Sequence, residues 1–412
     1  MFDKQYAKSY EIFEKAKDLI PCGAIGTRRP ENFVKGAYPL YVTEGKGAEF
    51  TDVDGNKYID WLAAFGPVLL GYAYDAVDNA AIERIKKGFC FDLSQDIQND
   101  LAKKLMPMIP CAEKIIFVMS GSDATTASIR LARTYTGRNK ILRFGYNGWH
   151  DWCVPVPTGV PDKVREDIIH FKYNDIDSVT ALMDQYKGDV AGVIITPLAH
   201  EFNQPIEFPK DGFLEKLREV TKNEGSMLIF DEIRTGFRLA PGGAQEYFGV
   251  TPDLGAFGKA MANGYPIGMV AGTNDVMMAA EKAYISSTFF YNSLPMAAAM
   301  AALNEIESKN VIPHIVKIGE MLQQGMKDLI AEYNMPAEVS GPPQMPFMTF
   351  NFDPEKKFKE RRRMFYTLTT KNGVFLHPFH HWYVMYTHTE EHVKKTLEVI
   401  GNAFKEIVAK VG

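Results

Sequence analysis

Residues 227–230 of this 412-residue chain, Met-Leu-Ile-Phe, form a short apolar run that stops at the acidic pair Asp231-Glu232. A run of that length reads as a buried strand of a parallel sheet and the polar stop as its carboxyl end. Open α/β sheets bind ligands at that edge. Further on by 259 − 231 = 28 residues, Lys259 follows Leu254-Gly-Ala-Phe-Gly258 and precedes a loop containing Asn263-Gly-Tyr-Pro-Ile-Gly268. A lysine among small and apolar residues loses hydration of its ammonium, so its pKa falls and its amine becomes a nucleophile. An aspartate arriving on one strand and a lysine one crossover later meet the needs of a pyridoxal phosphate site. The lysine forms the Schiff base, and the carboxylate keeps the ring nitrogen protonated so that the ring absorbs electrons when a substrate bond breaks. On spacing alone, a structural carboxylate at a strand end and a surface lysine are an equally open reading.

The full stretch, DEIRTGFRLAPGGAQEYFGVTPDL followed by GKAMANGYPIG, resembles the class III aminotransferases of fold type I, most of all the glutamate-1-semialdehyde aminomutase branch. The resemblance extends from the opening helix to His388-Thr-Glu-Glu391. It implies an α/β fold in which a large domain, 75–310, is built on a mainly parallel sheet. The smaller α+β domain would combine residues 1–74 with 311–412. It also implies pyridoxal 5'-phosphate as cofactor, Lys259 and Asp231 as catalytic residues, and ping-pong exchange of an amino group between an amine or amino acid and a keto acid or aldehyde.

The remaining elements must bring a phosphate cup, a stacking face and a substrate pocket to that pair. Lys114–Met119 reads as a strand running through Ser120-Gly121-Ser122-Asp123 into a helix over 124–135. A helix amino terminus presents N–H groups and a positive dipole end to a phosphate. The segment resembles the family's phosphate cup, with Gly121 and Ser122 in place and serine where threonine is common. Lys140–Phe144 leads into Gly145-Tyr146-Asn147-Gly148-Trp149-His150, and an aromatic side chain there can stack on a flat ring. The resemblance puts Tyr146 over one pyridine face and Ile233 on the other, while Asn147 stands where histidine is usual. After the apolar strand Val190–Ile195 the chain has Thr196-Pro197 in place of the family's Glu-Pro. Asn203 is then the candidate for the cofactor's ring hydroxyl, or a plain loop asparagine. The resemblance sends Thr288 across a dimer interface to the neighbouring subunit's phosphate, which makes the sites composite and the homodimer obligatory.

For the substrate, Arg28 and Arg29 lie in a loop where adjacent guanidinium groups can receive a carboxylate or simply be solvated. Phe65 and Trp149 are aromatic candidates for the pocket or for packing, and Arg234 is a third cation with the same two readings. His380 and His381 are neighbours on an expected strand and point to opposite faces, so they do not share a metal ion. The segment HPFHHWYVMY has no acidic residue, whereas aminomutases of the resembled branch carry one near the substrate.

Composition sets the bounds. The chain is 46% hydrophobic and 24% charged, with a formal net charge of −5, which favours small-molecule substrates over nucleic acid or an anionic membrane surface. Its four cysteines show no CxxC or zinc spacing, the amino terminus has no signal-like apolar region, and a cytoplasmic location is expected. Periodicity predicts helices over 3–20, 175–186, 213–224 and 294–308, two helices within 75–107, a hairpin over 48–60, and strands over 345–351, 374–377 and 382–386. The basic run Lys356–Arg363 reads as a helix with a solvated face. The expected activity is an aminotransferase. An intramolecular aminomutase or an amino acid racemase is the alternative, and a non-catalytic binding protein the third.

Overall fold

The computed structural model describes residues 4–411. The chain packs into two compact units. One takes the chain as far as Tyr74, residues 202–206 and the chain from Pro313 onward; the other takes residues 75–201 and 207–312.

The second unit is built on seven strands: β1 (Lys114–Val118), β2 (Lys140–Phe144), β3 (Ile168–His170), β4 (Val190–Ile195), β5 (Met227–Asp231), β6 (Leu254–Phe257) and β7 (Gly268–Gly272). Their order across the sheet is β1-β7-β6-β5-β4-β2-β3. Only β7 is antiparallel, pairing with β1 on one side and β6 on the other. The result is a mostly parallel sheet in an α/β layer arrangement. Every residue of β4 and β5 is buried, as the central strands of a sheet covered on both faces must be.

Alternation along the strands decides what reaches the site. Ile141, Ala191, Ile194, Met227 and Ile229 pack into one core with Ala124, Ala127, Leu131 and Ala132 of the helix Gly121–Thr136. Leu142, Val193, Leu228 and Phe230 pack into another with Val179, Phe213 and Leu217. Side chains two apart on a strand share a face. Asp231, two after Ile229, and Arg143, two after Ile141, therefore face the side of the sheet covered by the helix Gly121–Thr136. That helix lies close because its buried face is mostly small: Ala124, Ala127, Ser128 and Ala132. Ser120 caps it, accepting from the Asp123 backbone N–H at 3.3 Å and donating to Asp123 Oδ2 at 2.7 Å, a reciprocal closure of the first turn. Gly137 ends it in the left-handed region, where glycine is favoured.

In the first unit the expected hairpin forms from Glu49–Asp52 and Lys57–Asp60. Asp52 Oδ1 accepts from the N–H groups of Asp54 at 3.0 Å and Asn56 at 2.8 Å, which fixes the turn. Val42–Lys46 and Val374–Phe375 extend this sheet at its two edges. A second hairpin, Ala337–Ser340 with Phe347–Phe350, and the helices Lys357–Lys371 and Glu390–Val411 belong to the same unit.

Two expectations change. The opening helix spans Ala7–Ala16 after a 3-10 turn at Lys4–Tyr6, because residues 17–20 close into tighter turns ahead of Pro21; residue 3 lies outside the described residues. Residues 382–386 are extended but not a strand. The Trp382 and Val384 N–H groups donate to Pro346 and Gln344, while those of Tyr383 and Tyr386 donate to Trp61 and Leu69. A segment divided between two neighbours makes no ladder with either.

Candidate active site

Asp231 ends β5 and is 4% exposed. Its two oxygens are held separately: the Asn147 side-chain amide donates to Oδ2 at 2.9 Å and the Ile233 backbone N–H donates to Oδ1 at 3.2 Å. Burial pushes the carboxyl up to about 6, opposed in turn by the Asn147 hydrogen bond, the Ile233 N–H, Lys259 and Arg143. A carboxylate so placed is costly to ionise until a cation meets it.

Behind Asn147 stands Arg143, 4% exposed, whose Nε donates to Asn147 Oδ1 at 3.2 Å while its Nη2 donates to the Gly145 carbonyl at 3.0 Å. A guanidinium only donates and an ionised carboxylate only accepts, so the Asn147 amide has one consistent orientation between them. The Thr125 hydroxyl holds the same loop by donating to the Asn147 carbonyl at 2.6 Å. Neither Asn147 nor Arg143 was expected at the site. The signal for Arg143 was there, a lone cation in the strand Lys-Ile-Leu-Arg-Phe whose central three residues are all buried. Asn147 carried no such signal, since an asparagine between Tyr146 and Gly148 is also an ordinary turn residue.

Lys259 leaves the end of β6 through Gly258 and takes a left-handed conformation, φ +46, which is uncommon for a residue with a side chain. Burial, and next the Arg234 guanidinium, push its ammonium well below the ordinary lysine value; Asp231 opposes this and Arg238 adds to it. The outcome is an amine poised to be neutral and nucleophilic. Glu232 takes no part in this chemistry. It is fully buried and accepts from the Ala244 and Gln245 N–H groups at 2.7 and 3.0 Å and from the Thr235 hydroxyl, which locks the turn after β5.

The walls follow from the loops. Tyr146 is half exposed with the Arg234 guanidinium 5.8 Å from its ring centroid. Ile233 packs so closely on Gly121 that a Cβ there would lie 2.9 Å from Ile233 Cδ1. Gly148, at φ +124, passes over Ser122, where a Cβ would stand 2.6 Å from Oγ; the next residue, Trp149, donates its backbone N–H to that oxygen at 3.2 Å. The Trp149 ring is itself 69% exposed. The loop is anchored to the helix by Trp152 Nε1, which donates to Thr126 Oγ1 at 2.8 Å, leaving the threonine hydroxyl to donate to His150 Nδ1 at 2.7 Å. Thr288 opens an exposed 3-10 turn, Thr288–Tyr291, in the same unit.

The other expected residues belong to the first unit. Arg28 lies 5.1 Å from the Phe65 ring centroid and donates to Thr27 Oγ1 at 3.0 Å, whereas Arg29 is 3.8 Å from Glu31. Asn203, expected at the cofactor hydroxyl, packs with this unit; its Oδ1 accepts from Arg362 and its N–H donates to the Phe379 carbonyl at 2.9 Å. Its amide oxygen thus has a guanidinium partner 159 positions away, which no local pattern predicts.

A strand-end carboxylate held at both oxygens, an amine kept from protonation, an open aromatic face and a capped helix amino terminus on one side of one sheet fit pyridoxal phosphate, whose ring nitrogen, aldehyde, ring face and phosphate need those four groups.

The family model for "Aminotransferase class-III" matches residues 33–404. The 3-aminobutyryl-CoA aminotransferase of Cloacimonas acidaminovorans (strain Evry) is 47% identical over 403 residues, 97% of each chain. A glutamate-1-semialdehyde 2,1-aminomutase of Macrococcus caseolyticus (strain JCSC5402) is 35% identical over 431 residues, 98% of this chain and 100% of its own. Among solved structures, the pyridoxal phosphate form of the FumI protein of Sphingopyxis sp. MTA144 superposes with a TM-score of 0.94 at 30% identity, covering 98% of this chain and 97% of that one. The chain belongs to the class III aminotransferases of fold type I and is a pyridoxal-phosphate-dependent enzyme.

Proposed function

We propose that this aminotransferase takes the amino group from a 3-aminoacyl coenzyme A thioester and passes it to a keto acid in a ping-pong cycle. The observation that carries this is the 47% identity, across 97% of both chains, to a 3-aminobutyryl-CoA aminotransferase. Against the aminomutase reading, which the 35% relative represents, stands residues 377–386, a segment with no carboxylate.

When bound, pyridoxal phosphate supplies an electron-accepting ring conjugated to the substrate nitrogen. Lys259 would hold the cofactor between turnovers, and its free amine would carry the proton away from the substrate carbon that bears the amino group. Asp231 keeps the ring nitrogen charged, and Asn147 and the Ile233 N–H keep Asp231 from rotating. Tyr146 and Ile233 would hold the ring's two faces. The N–H groups of Gly121 and Ser122 at the helix amino terminus would receive the phosphate, and Thr288 of a second copy would join them. Of the two adjacent arginines, Arg28, beside the Phe65 ring, is the candidate for a substrate anion, since Arg29 is already near Glu31.

Several features support a homodimer in the cytoplasm. Phe91, Leu93, Tyr284 and Phe289 of the second unit are half or more exposed, an apolar group suited to cover by another copy. All four cysteines are free thiols, as in a reducing compartment. No helix among the described residues is long and apolar enough to cross a membrane.

The test is to mix purified enzyme with 3-aminobutyryl-CoA or with free 3-aminobutyrate and follow the cofactor's visible band without any keto acid. Bleaching by the thioester, release of a 3-oxoacyl product and recovery of the band on adding a keto acid are expected. A band that responds only to free amino acids would overturn the thioester assignment. Turnover that consumes no acceptor would establish the isomerase instead.

A further inference from the structure

We propose that a cavity within the first unit binds the adenosine 3'-phosphate 5'-diphosphate end of the coenzyme A substrate; the inference rests on the thioester reading above. The cavity has a volume of about 260 Å³ and is lined by Asn203, Gln204, Asn351, Phe352, Phe358 and Arg362, with Glu338 as its carboxylate. Sites for whole drug-sized ligands start at roughly 300 Å³, so this one suits a single ring system with its charged groups at the mouth. Coenzyme A ends in that combination, a purine beside several phosphate oxygens.

The wall is pre-formed. Residues 202–206 pack here rather than with the sequence around them, tied by the Asn203 N–H to the Phe379 carbonyl at 2.9 Å and by the Ile206 N–H to Ser340 Oγ at 2.9 Å. Asn203 takes a left-handed conformation, φ +62, to do so, and its Oδ1 accepts from Arg362. The Arg362 guanidinium also lies 4.6 Å from the Phe379 ring centroid. A guanidinium held by an amide and a ring face has little orientation left to lose, and its fork of five donors matches phosphate oxygens.

The helix that carries Arg362 begins with a basic run. Of the basic run that begins the helix Lys357–Lys371, three members are countered locally: Lys357 by Glu355 at 2.9 Å, Arg361 by Asp353 at 3.4 Å and Arg363 by Glu360 at 2.5 Å. Lys356 and Lys359, both exposed, flank the lining residue Phe358 in sequence and add positive charge to the segment that carries Arg362. A stacking platform completes the site. Phe352 is 72% exposed, and its ring sits 4.5 Å from that of Phe358, which is buried. An exposed ring backed by a buried one suits a purine face, and base–aromatic stacking of that kind is substantial.

The holoenzyme is titrated by calorimetry with coenzyme A carrying no acyl group, with adenosine 3',5'-bisphosphate and with dephospho-coenzyme A. Binding of the first two, and weaker binding of the compound without the 3'-phosphate, are expected. Arg362→Met should weaken coenzyme A about tenfold or more, the loss of a charge-assisted hydrogen bond. It should also lower the preference for thioester over free 3-amino acid by a similar factor, through KM. Lys356→Glu with Lys359→Glu, a change confined to exposed side chains, should act in the same direction and tests the charge argument if Arg362→Met does not fold. Coenzyme A affinity equal in wild type and both variants overturns the site. Failure to bind coenzyme A in an enzyme that transaminates the thioester also overturns it and leaves the thioester reading standing. Binding that depends on Arg362 without turnover of any thioester supports the site and refutes that reading.

Discussion

Replacing Asn147 by leucine removes the one side chain that holds Asp231 without altering the carboxylate itself. The structure sets the size of the effect. Two hydrogen bonds disappear, the 2.9 Å bond to Asp231 Oδ2 and the 3.2 Å bond from Arg143 Nε, while the Thr125 bond to the 147 backbone carbonyl survives. A bond to a charged group contributes about 1.5–3 kcal/mol, so cofactor affinity should fall roughly ten- to hundredfold. The loss should also depend on pH. Asp231 sits at about 6 in the wild type, and the Asn147 bond is the largest influence lowering it. One unit above its pKa a carboxylate is about 90% ionised; with that bond gone the pKa rises, and less of the protein at pH 7 has an anion ready for the ring nitrogen. Lys259 and Arg143 act on the same carboxylate, and Tyr146 and Cys153 lie within its field, so the profile should be compared with wild type rather than read alone. The assay is cofactor binding to the stripped protein from pH 6 to 8, by quenching of intrinsic fluorescence. Asn147→His should recover most of the affinity, because a neutral imidazole can donate to Asp231 and accept from Arg143. Equal affinity and an identical pH profile in Asn147→Leu would refute the idea that this amide supports Asp231.

Lys259→Ala should abolish turnover while pyridoxal phosphate still binds non-covalently, and its spectrum should lack the Schiff-base band; retained turnover would remove Lys259 from the mechanism. Asp231→Asn should change how the cofactor-free protein's stability responds to pH. The folded carboxyl is raised from 3.8 to about 6, so its contribution is fully present below about 3.8 and is lost as pH rises through 6, about 3 kcal/mol in all. Thermal melts should show the variant gaining on wild type between pH 4 and 6, and parallel curves would contradict the burial argument. Gly148→Ala combines a left-handed backbone with a Cβ 2.6 Å from Ser122 Oγ. It should cost about 1–3 kcal/mol of stability and weaken phosphate binding by the cup, both measurable by melting and by cofactor titration.

The parts of this molecule legible in the sequence were those where one local rule suffices. The β5 strand was readable because five apolar or acidic residues in a row leave few alternatives, and the helix after Ser120 because a cap and a small-residue face announce it. Tertiary partners were less legible. Residues 382–386 alternate like a strand yet hydrogen-bond to two different neighbours, which no period in the sequence records. Asn147 became significant only once β2 and β5 were placed on one sheet, bringing a residue 84 positions away in sequence to Asp231. Asn203 was legible as a loop amide, but no local pattern records that five residues of chain around it pack with another unit and set its Oδ1 against Arg362.

The single antiparallel strand also dictates an order of assembly. β1, which leads into the phosphate-cup helix, lies at the sheet edge and pairs only with β7. The register joins Val118 to Gly268, so β1 waits for 150 further residues (268 − 118 = 150) before it has a neighbour. The five strands β2 to β6 can associate with one another first, and β7 then slots between β6 and β1. Closing so long a loop is slow and exposes an unpaired edge meanwhile. During vectorial synthesis, then, the edge strand that leads into the phosphate cup is paired late, and in a nascent chain released before residue 268 the cup helix has its packing on the central strands but the strand before it has no partner.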